Sequence, residues 1–178
     1  MSDNNQHKEE QVRQKPVDKS DWGDGPWQGE PDDGQWVDPT TDLDCMIHRG
    51  PSGALCGYVG VPRSHPLYGK EYMDVDTLFD VHGSLTYSAA CDEKGLICHV
   101  PEPGRDGDIW WFGFDCAHSF DYAPGMEADL REIRKRMKAE GRADTAFDHL
   151  FTGTYRDWEY VKDECAEFAL ALKGMTDA

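Results

Sequence analysis

The chain is 178 residues long, 38% apolar and 30% charged, with a formal net charge of −17. That is room for one domain, or one domain and a tail, and the acidity argues against direct nucleic-acid binding, which requires a basic surface to neutralise phosphates. No apolar run approaches the ~20 residues of a membrane-spanning helix, and collagen-like, coiled-coil and disulfide-knot classes do not fit the composition.

The apolar deficit is concentrated at the N-terminus. Residues 1–44 hold twelve acids and four bases, a net −8, with almost no aliphatic side chain before Leu43. Such a segment buries too little surface to offset its conformational entropy, so it reads as a disordered acidic arm preceding a single domain at 45–174. Trp22, Trp27 and Trp36 sit in it among eight acids, with no Lys or Arg over residues 21–44. A segment of that kind either docks on a basic groove or lies loosely on the domain. No apolar stretch follows Met1, which reads as a cytoplasmic chain rather than a secreted one. The six cysteines include no C-x-x-C spacing, so they read as reduced thiols, not a zinc ribbon. Cys91 and Cys98 flank the turn Asp92-Glu93-Lys94-Gly95 and are the one pair placed to form a disulfide.

From residue 45 the pattern is α+β, with strands first and helices last. Residues 54–61 form a short apolar run with two glycines, predicting a buried strand with a close backbone approach or a bulge. A proline- and glycine-broken loop follows. Residues 80–88 alternate as a strand, 92–95 make a turn, 96–100 a return strand, and 101–108 a loop. Ile109–Asp115 is the most apolar and β-prone stretch of the chain. The expected sheet is a small antiparallel one of three or four strands, with 80–88, 96–100 and 109–115 as a meander. Two C-terminal helices pack on it. The first, 126–140, carries Leu130, Ile133 and Met137 as an apolar stripe, with Arg131, Arg134, Lys135, Arg136 and Lys138 on its exposed face. That basic face is the expected resting place of the acidic arm. The second, 155–173, opens with Thr154 and Asp157 as a start signal and repeats Trp158, Val161, Cys165, Phe168 and Leu172 at helical spacing.

Two stretches carry candidate chemistry: 81–88, with His82, and 110–121, where a strand ends in Asp115-Cys116-x-His118-x-x-Asp121. Polar groups just past a strand end are held rigidly at a cleft or in solvent, where sites are built. Two imidazoles with one or two carboxylates suit one divalent transition metal, Zn²⁺, Mn²⁺ or Fe²⁺, with a position left for water. His82, His118 and Asp121 are the expected metal ligands, and Asp115 and His118 the expected catalytic pair. Cys116 is an alternative ligand. Tyr58, His65, Tyr87, Trp111 and Cys116 are the candidate walls of a ligand pocket. The alternative is that the Asp-x-x-His pattern simply caps a turn. In a meander the first and third strands run parallel, so His82 and Asp115 meet only if the pairing is staggered or the chain bends at Gly83 or Gly113.

Several of these runs resemble small uncharacterised proteins encoded by phages and prophages. They are Cys56-Gly57-Tyr58-Val59-Gly60-Val61-Pro62 with His65-Pro66-Leu67-Tyr68-Gly69, Asp80-Val81-His82-Gly83, Cys98 to Gly104, Trp110 to Asp121, and Tyr155 to Val161. The resemblance spans about residues 45–172, with Gly often at the position of Ser84. It implies a phage or mobile-element origin and carries no activity. The leading reading is therefore a phage-type accessory protein in the bacterial cytoplasm, acting as a metal-dependent hydrolase. The alternative is a non-catalytic protein that inhibits a host defence factor through its acidic arm or sequesters a nucleotide-like small molecule.

Overall fold

The computed structural model describes residues 17–91, 97–105, 107–142 and 153–176. Five strands form one antiparallel sheet: β1 (Asp33–Val37), β2 (Asp44–Arg49), β3 (Leu55–Pro62), β4 (Tyr87–Ala90) and β5 (Ile109–Asp115), in the order β1-β2-β3-β5-β4. A short helix, α1 (Tyr72–Val75), interrupts the loop after β3, and α2 (Pro124–Ala139) and α3 (Trp158–Gly174) follow β5. The class is the α+β one read from the sequence, with one strand more than expected. Among the described residues no helix is long and apolar enough to cross a membrane.

One face of the sheet is closed by α3. Trp158, Val161, Cys165, Phe168 and Leu172 are all buried against Cys45 and Ile47 of β2, Leu55, Val59 and Val61 of β3, and Phe112 and Phe114 of β5. Each such side chain contributes roughly 1.5–3 kcal/mol of apolar burial. The helix comes close because β3 carries Gly57 beneath it: a Cβ there would meet the Phe114 ring at 2.4 Å and the Cys165 sulfur at 2.8 Å. The helix begins later than its sequence signal suggests. Asp157, not Thr154, is the cap, its side chain accepting from the Tyr160 N–H at 2.9 Å. Thr154 instead forms a parallel bridge with Asp121.

The opposite face holds a second cluster of Met46, Tyr58, Ile97, Ile109 and Trp111, with Cys56, Tyr87 and Cys91 packed against it. The run 97–100 brings Ile97 to this cluster. Gln35 of β1 holds it by exchanging two hydrogen bonds with the Val100 backbone, 2.8 and 2.9 Å. Cys91 and Cys98 are joined there in a disulfide with Cα atoms 4.8 Å apart. This is the one pair that the sequence placed for a disulfide, and it departs from the general expectation of reduced thiols. Cys45, Cys56, Cys116 and Cys165 are free.

Three further expectations are corrected. Residues 80–88 are not one strand: the chain turns at Val81–Ser84, closed by the Ser84 N–H on the Val81 carbonyl, with Gly83 and Ser84 at φ of 64° and 80°. Only 87–90 pairs in the sheet. A positive φ at Ser84 is a conformation glycine adopts at no steric cost. Residues 97–100 form no strand, and the turn at 92–95 lies outside the described residues. β4 therefore pairs directly with β5. Along α2, Leu130 is buried but Ile133 is 42% exposed, so the apolar stripe is not a packing face over its length.

The largest correction concerns the arm. Residues 17–44 are part of the fold, and β1 is an edge strand of the sheet. Composition misleads here because the apolar surface comes from Trp22 and Trp27, both buried, and the acids are partners of buried cations. Arg49 has no exposed side-chain surface. Its Nε donates to Asp32, one terminal nitrogen to Glu30 and the Pro31 carbonyl, and the other to the Gly53 carbonyl and the Tyr155 hydroxyl, at 2.7–3.2 Å. All five N–H donors of the guanidinium are satisfied. Lys19 adds an ion pair to Asp32 at 2.6 Å. Asp33 pairs with His48, and Asp42 and Asp44 with Arg105. These acids of the arm are thus engaged within the sheet layer rather than on the basic face of α2.

Burial raises the Asp32 carboxyl pKa, but hydrogen bonds from Lys19, the Val17 N–H and Arg49 outweigh it, and the net shift is downward. A depressed folded-state pKa gives stability that is present above the unfolded value of about 3.9 and is lost as pH falls through the folded value. The urea midpoint should therefore drop as pH is lowered from about 5 to below 4. Asp32→Asn should flatten that drop. An identical pH profile in the variant would show that Asp32 contributes nothing to it.

Candidate metal centre

The direct pairing of β4 with β5 decides whether the two candidate stretches meet. Because the pair is antiparallel, Tyr87 at the start of β4 lies opposite Gly113 near the end of β5. The turn at 81–84, which precedes β4, is thus at the same end of the sheet as the turn that follows Asp115. The chain bends at Gly83, one of the two places the sequence offered.

His82 and Asp121 are buried and His118 is half-buried. One ligand atom from each lies within 4.8 Å of the others. His82 Nε2 is 2.8 Å from Asp121 Oδ2, and His118 Nδ1 is 3.3 Å from the same oxygen. Donor atoms around a tetrahedral zinc with bonds near 2.0–2.1 Å stand about 3.4 Å apart. Two of the three separations are at or inside that value, the shorter being the His82–Asp121 hydrogen bond, which a bound ion would have to open.

Each ligand is held by local structure. The His82 N–H donates to Glu164 of α3 at 3.0 Å, and its Nδ1 is 2.9 Å from the Tyr160 hydroxyl, one helical turn away. With Nε2 toward Asp121, that contact fixes the ring orientation. Asp121 Oδ2 also accepts the His118 backbone N–H at 3.1 Å, while Oδ1 accepts from Arg156 Nε at 3.1 Å. Burial raises the Asp121 pKa, yet the bonds from His82, Arg156 and the His118 N–H outweigh it and keep the group charged. Asp115 accepts the Ala117 N–H and so caps the turn, as the plainer sequence reading had it. It is also 4.0 Å from His118 Nδ1.

The His118 ring lies against the backbone of Gly83, where an added Cβ would meet the imidazole at 2.0 Å. Gly83 also has a φ of 64°. Gly83→Ala should displace His118 and lower metal affinity at least tenfold, while leaving the far-ultraviolet dichroism of the sheet and α3 unchanged. Metal binding equal to wild type would show that His118 is not a ligand.

The other candidates lie elsewhere. Cys116 is beside the centre but buried, and burial first, then the Asp121 charge, pushes its thiol pKa far up. That argues against an uncoordinated thiolate nucleophile there. His65 is a satisfied core histidine: its Nε2 meets the Leu172 carbonyl at 2.9 Å and its Nδ1 accepts the Leu67 N–H. Tyr58, Tyr87 and Trp111 belong to the cluster on the opposite face, with the two tyrosine rings edge to face at 5.4 Å. They do not line the centre. Tyr160, Glu164, Arg156 and Phe120 do surround it and were not singled out from sequence. The spacing of Tyr160 and Glu164 by four on α3, beside the buried stripe, was the available signal.

No protein-family model, curated protein or solved structure matches this chain.

Proposed function

We propose that this chain is a metal-dependent hydrolase with one divalent transition metal held by His82, His118 and Asp121. The observation that carries this reading is the convergence of two imidazoles and one charged carboxylate within 4.8 Å, contributed by two separate turns. Three protein ligands leave a coordination position for water, and a bound Zn²⁺ or similar ion brings the pKa of that water to about 7, supplying hydroxide at neutral pH. Asp115, partly exposed and 4.0 Å from His118 Nδ1, would be the carboxylate at the rim placed to take a proton from water held there. The Tyr160 hydroxyl supports His82 from behind. The reading keeps the phage-type, cytoplasmic setting suggested by the resemblance. The alternative, a binder acting through an acidic arm at 1–44, is less favoured because Asp33–Val37 of that segment pairs in the sheet as β1.

The test is elemental mass spectrometry of the purified, untagged protein beside a His82→Ala/His118→Ala variant. About one equivalent of a transition metal, lost in the variant, is the expected result. A wild-type protein that stays metal-free after reconstitution would overturn the proposal.

A further inference from the structure

We infer that the substrate of this centre is a phosphate ester bearing an aromatic ring, with Arg156 gripping the phosphoryl group and Phe120 stacking on the ring. The inference rests on the metal-hydrolase reading above and names its substrate class.

Arg156 is brought to the centre by the bridge between Asp121 and Thr154, in which the Tyr122 N–H donates to the Thr154 carbonyl and the Thr154 N–H to that of Phe120. Its Nε donates to Asp121 Oδ1, and its guanidinium carbon lies over the Tyr160 ring, 4.7 Å from the centroid. These contacts fix the plane of the fork. Its two terminal nitrogens make no hydrogen bond to any described residue. Arg49, by contrast, has every N–H engaged. Arg156 is also only partly exposed, with 25% of its side-chain surface open. A fixed, partly desolvated guanidinium with open N–H groups is suited to a tetrahedral or planar anion.

The position of the fork says which anion. One oxygen of Asp121 faces the histidines and the other faces Arg156, so cation and metal position are separated by a single carboxylate. A group that touches both is the reacting group itself. A phosphoryl group has enough oxygens to meet metal and guanidinium together, and it carries negative charge in the ground state. A carboxamide or carboxylic ester presents a neutral carbonyl and does not call for this cation beside the metal.

Phe120 supplies the second half. Its ring stacks on His118 at 5.3 Å with an interplanar angle of 6°, yet the residue is 50% exposed. A large aromatic ring held parallel to a ligand imidazole, with half its surface open at the rim, is a platform for another planar ring. In the reaction, the oxygen of water bonds to phosphorus and the phosphorus–ester oxygen bond breaks. The leaving oxygen keeps the electron pair and takes the proton that the water released. From a monoester the products are inorganic phosphate and an alcohol or phenol.

The experiment uses the full-length protein loaded with Zn²⁺ or Mn²⁺, with metal content measured for every sample. Binding of inorganic phosphate is followed by calorimetry, and turnover of p-nitrophenyl phosphate is compared with that of p-nitrophenyl acetate. The expected result is phosphate binding that weakens tenfold or more in Arg156→Lys, and turnover of the phosphate ester but not of the acetate. In Phe120→Ala, KM for the aryl phosphate should rise at least fivefold, with phosphate binding within twofold of wild type. Metal-loaded protein that ignores phosphate, cleaves only the acetate, or leaves p-nitrophenyl phosphate intact overturns this inference while the metal centre stands. Unchanged phosphate binding in Arg156→Lys also overturns it, because Arg156 then only neutralises Asp121. If Arg156→Lys loses the metal, Phe120→Ala and the two esters decide. Absence of metal from the wild type removes the earlier reading as well.

Discussion

Asp121→Asn should empty the centre and also loosen the fold around it. The carboxylate is fully buried and joins His82, the His118 N–H and Arg156. An amide cannot match it as a ligand, and its NH₂ group meets His82 or Arg156 as a donor facing a donor. Losing an orienting partner behind a ligand typically costs 10–100-fold in metal affinity, so removing the ligand itself should cost more than about a hundredfold. Stability should fall by about 2 kcal/mol, since the bonds lost are charge-assisted and only partly replaced. Elemental analysis and urea denaturation read the two effects separately. Asp115→Asn is the useful contrast. That side chain caps its turn and lies at the rim, so the metal should remain while turnover falls. A metal-replete Asp121→Asn protein would be fatal to the assignment of Asp121 as a ligand.

Arg49→Ala should destabilise the whole domain by about 3–5 kcal/mol, the cost of breaking a buried ion pair from one side. The variant leaves Glu30 without its cation, Asp32 with Lys19 alone, and the Gly53 carbonyl and Tyr155 hydroxyl without that donor. Trp27 packs on Tyr122 and Tyr155 at 5.5 and 5.0 Å, so its fluorescence should shift red at denaturant concentrations too low to unfold the sheet. Adding Glu30→Gln should recover part of the loss, because the uncompensated charge goes while Asp32 keeps Lys19. A loss below about 1 kcal/mol would place this network with exposed ion pairs of little consequence.

What the sequence discloses, and what it withholds, follows from how each element is encoded. β3, β5 and α3 are periodic apolar segments, and their places and buried faces are legible directly. The Asp115-Cys116-x-His118-x-x-Asp121 stretch is legible as a candidate site because its polar groups are close in sequence. The meeting of His82 with them is not, since it depends on which strand β5 pairs with. A reading that inserts a return strand at 96–100 separates them, whereas direct β4–β5 pairing joins them. Arg156 is invisible for a similar reason: a lone base at a helix start gives no hint that a bridge from Thr154 sets it on Asp121. The arm is withheld for a different reason. Low apolar content signals disorder only when the charges have no buried partner, and Arg49 is one basic residue among eighteen.

The placement of β1 has a practical side. A shortened form beginning at residue 45, which composition alone would recommend, strips β2 of the neighbour that pairs with it from Asp44 to His48. The exposed backbone of β2 would then offer a row of unsatisfied N–H and C=O groups, a template for intermolecular strand addition. Such a protein would be prone to self-association, and any activity it lost would report aggregation rather than a binding role for the acidic segment.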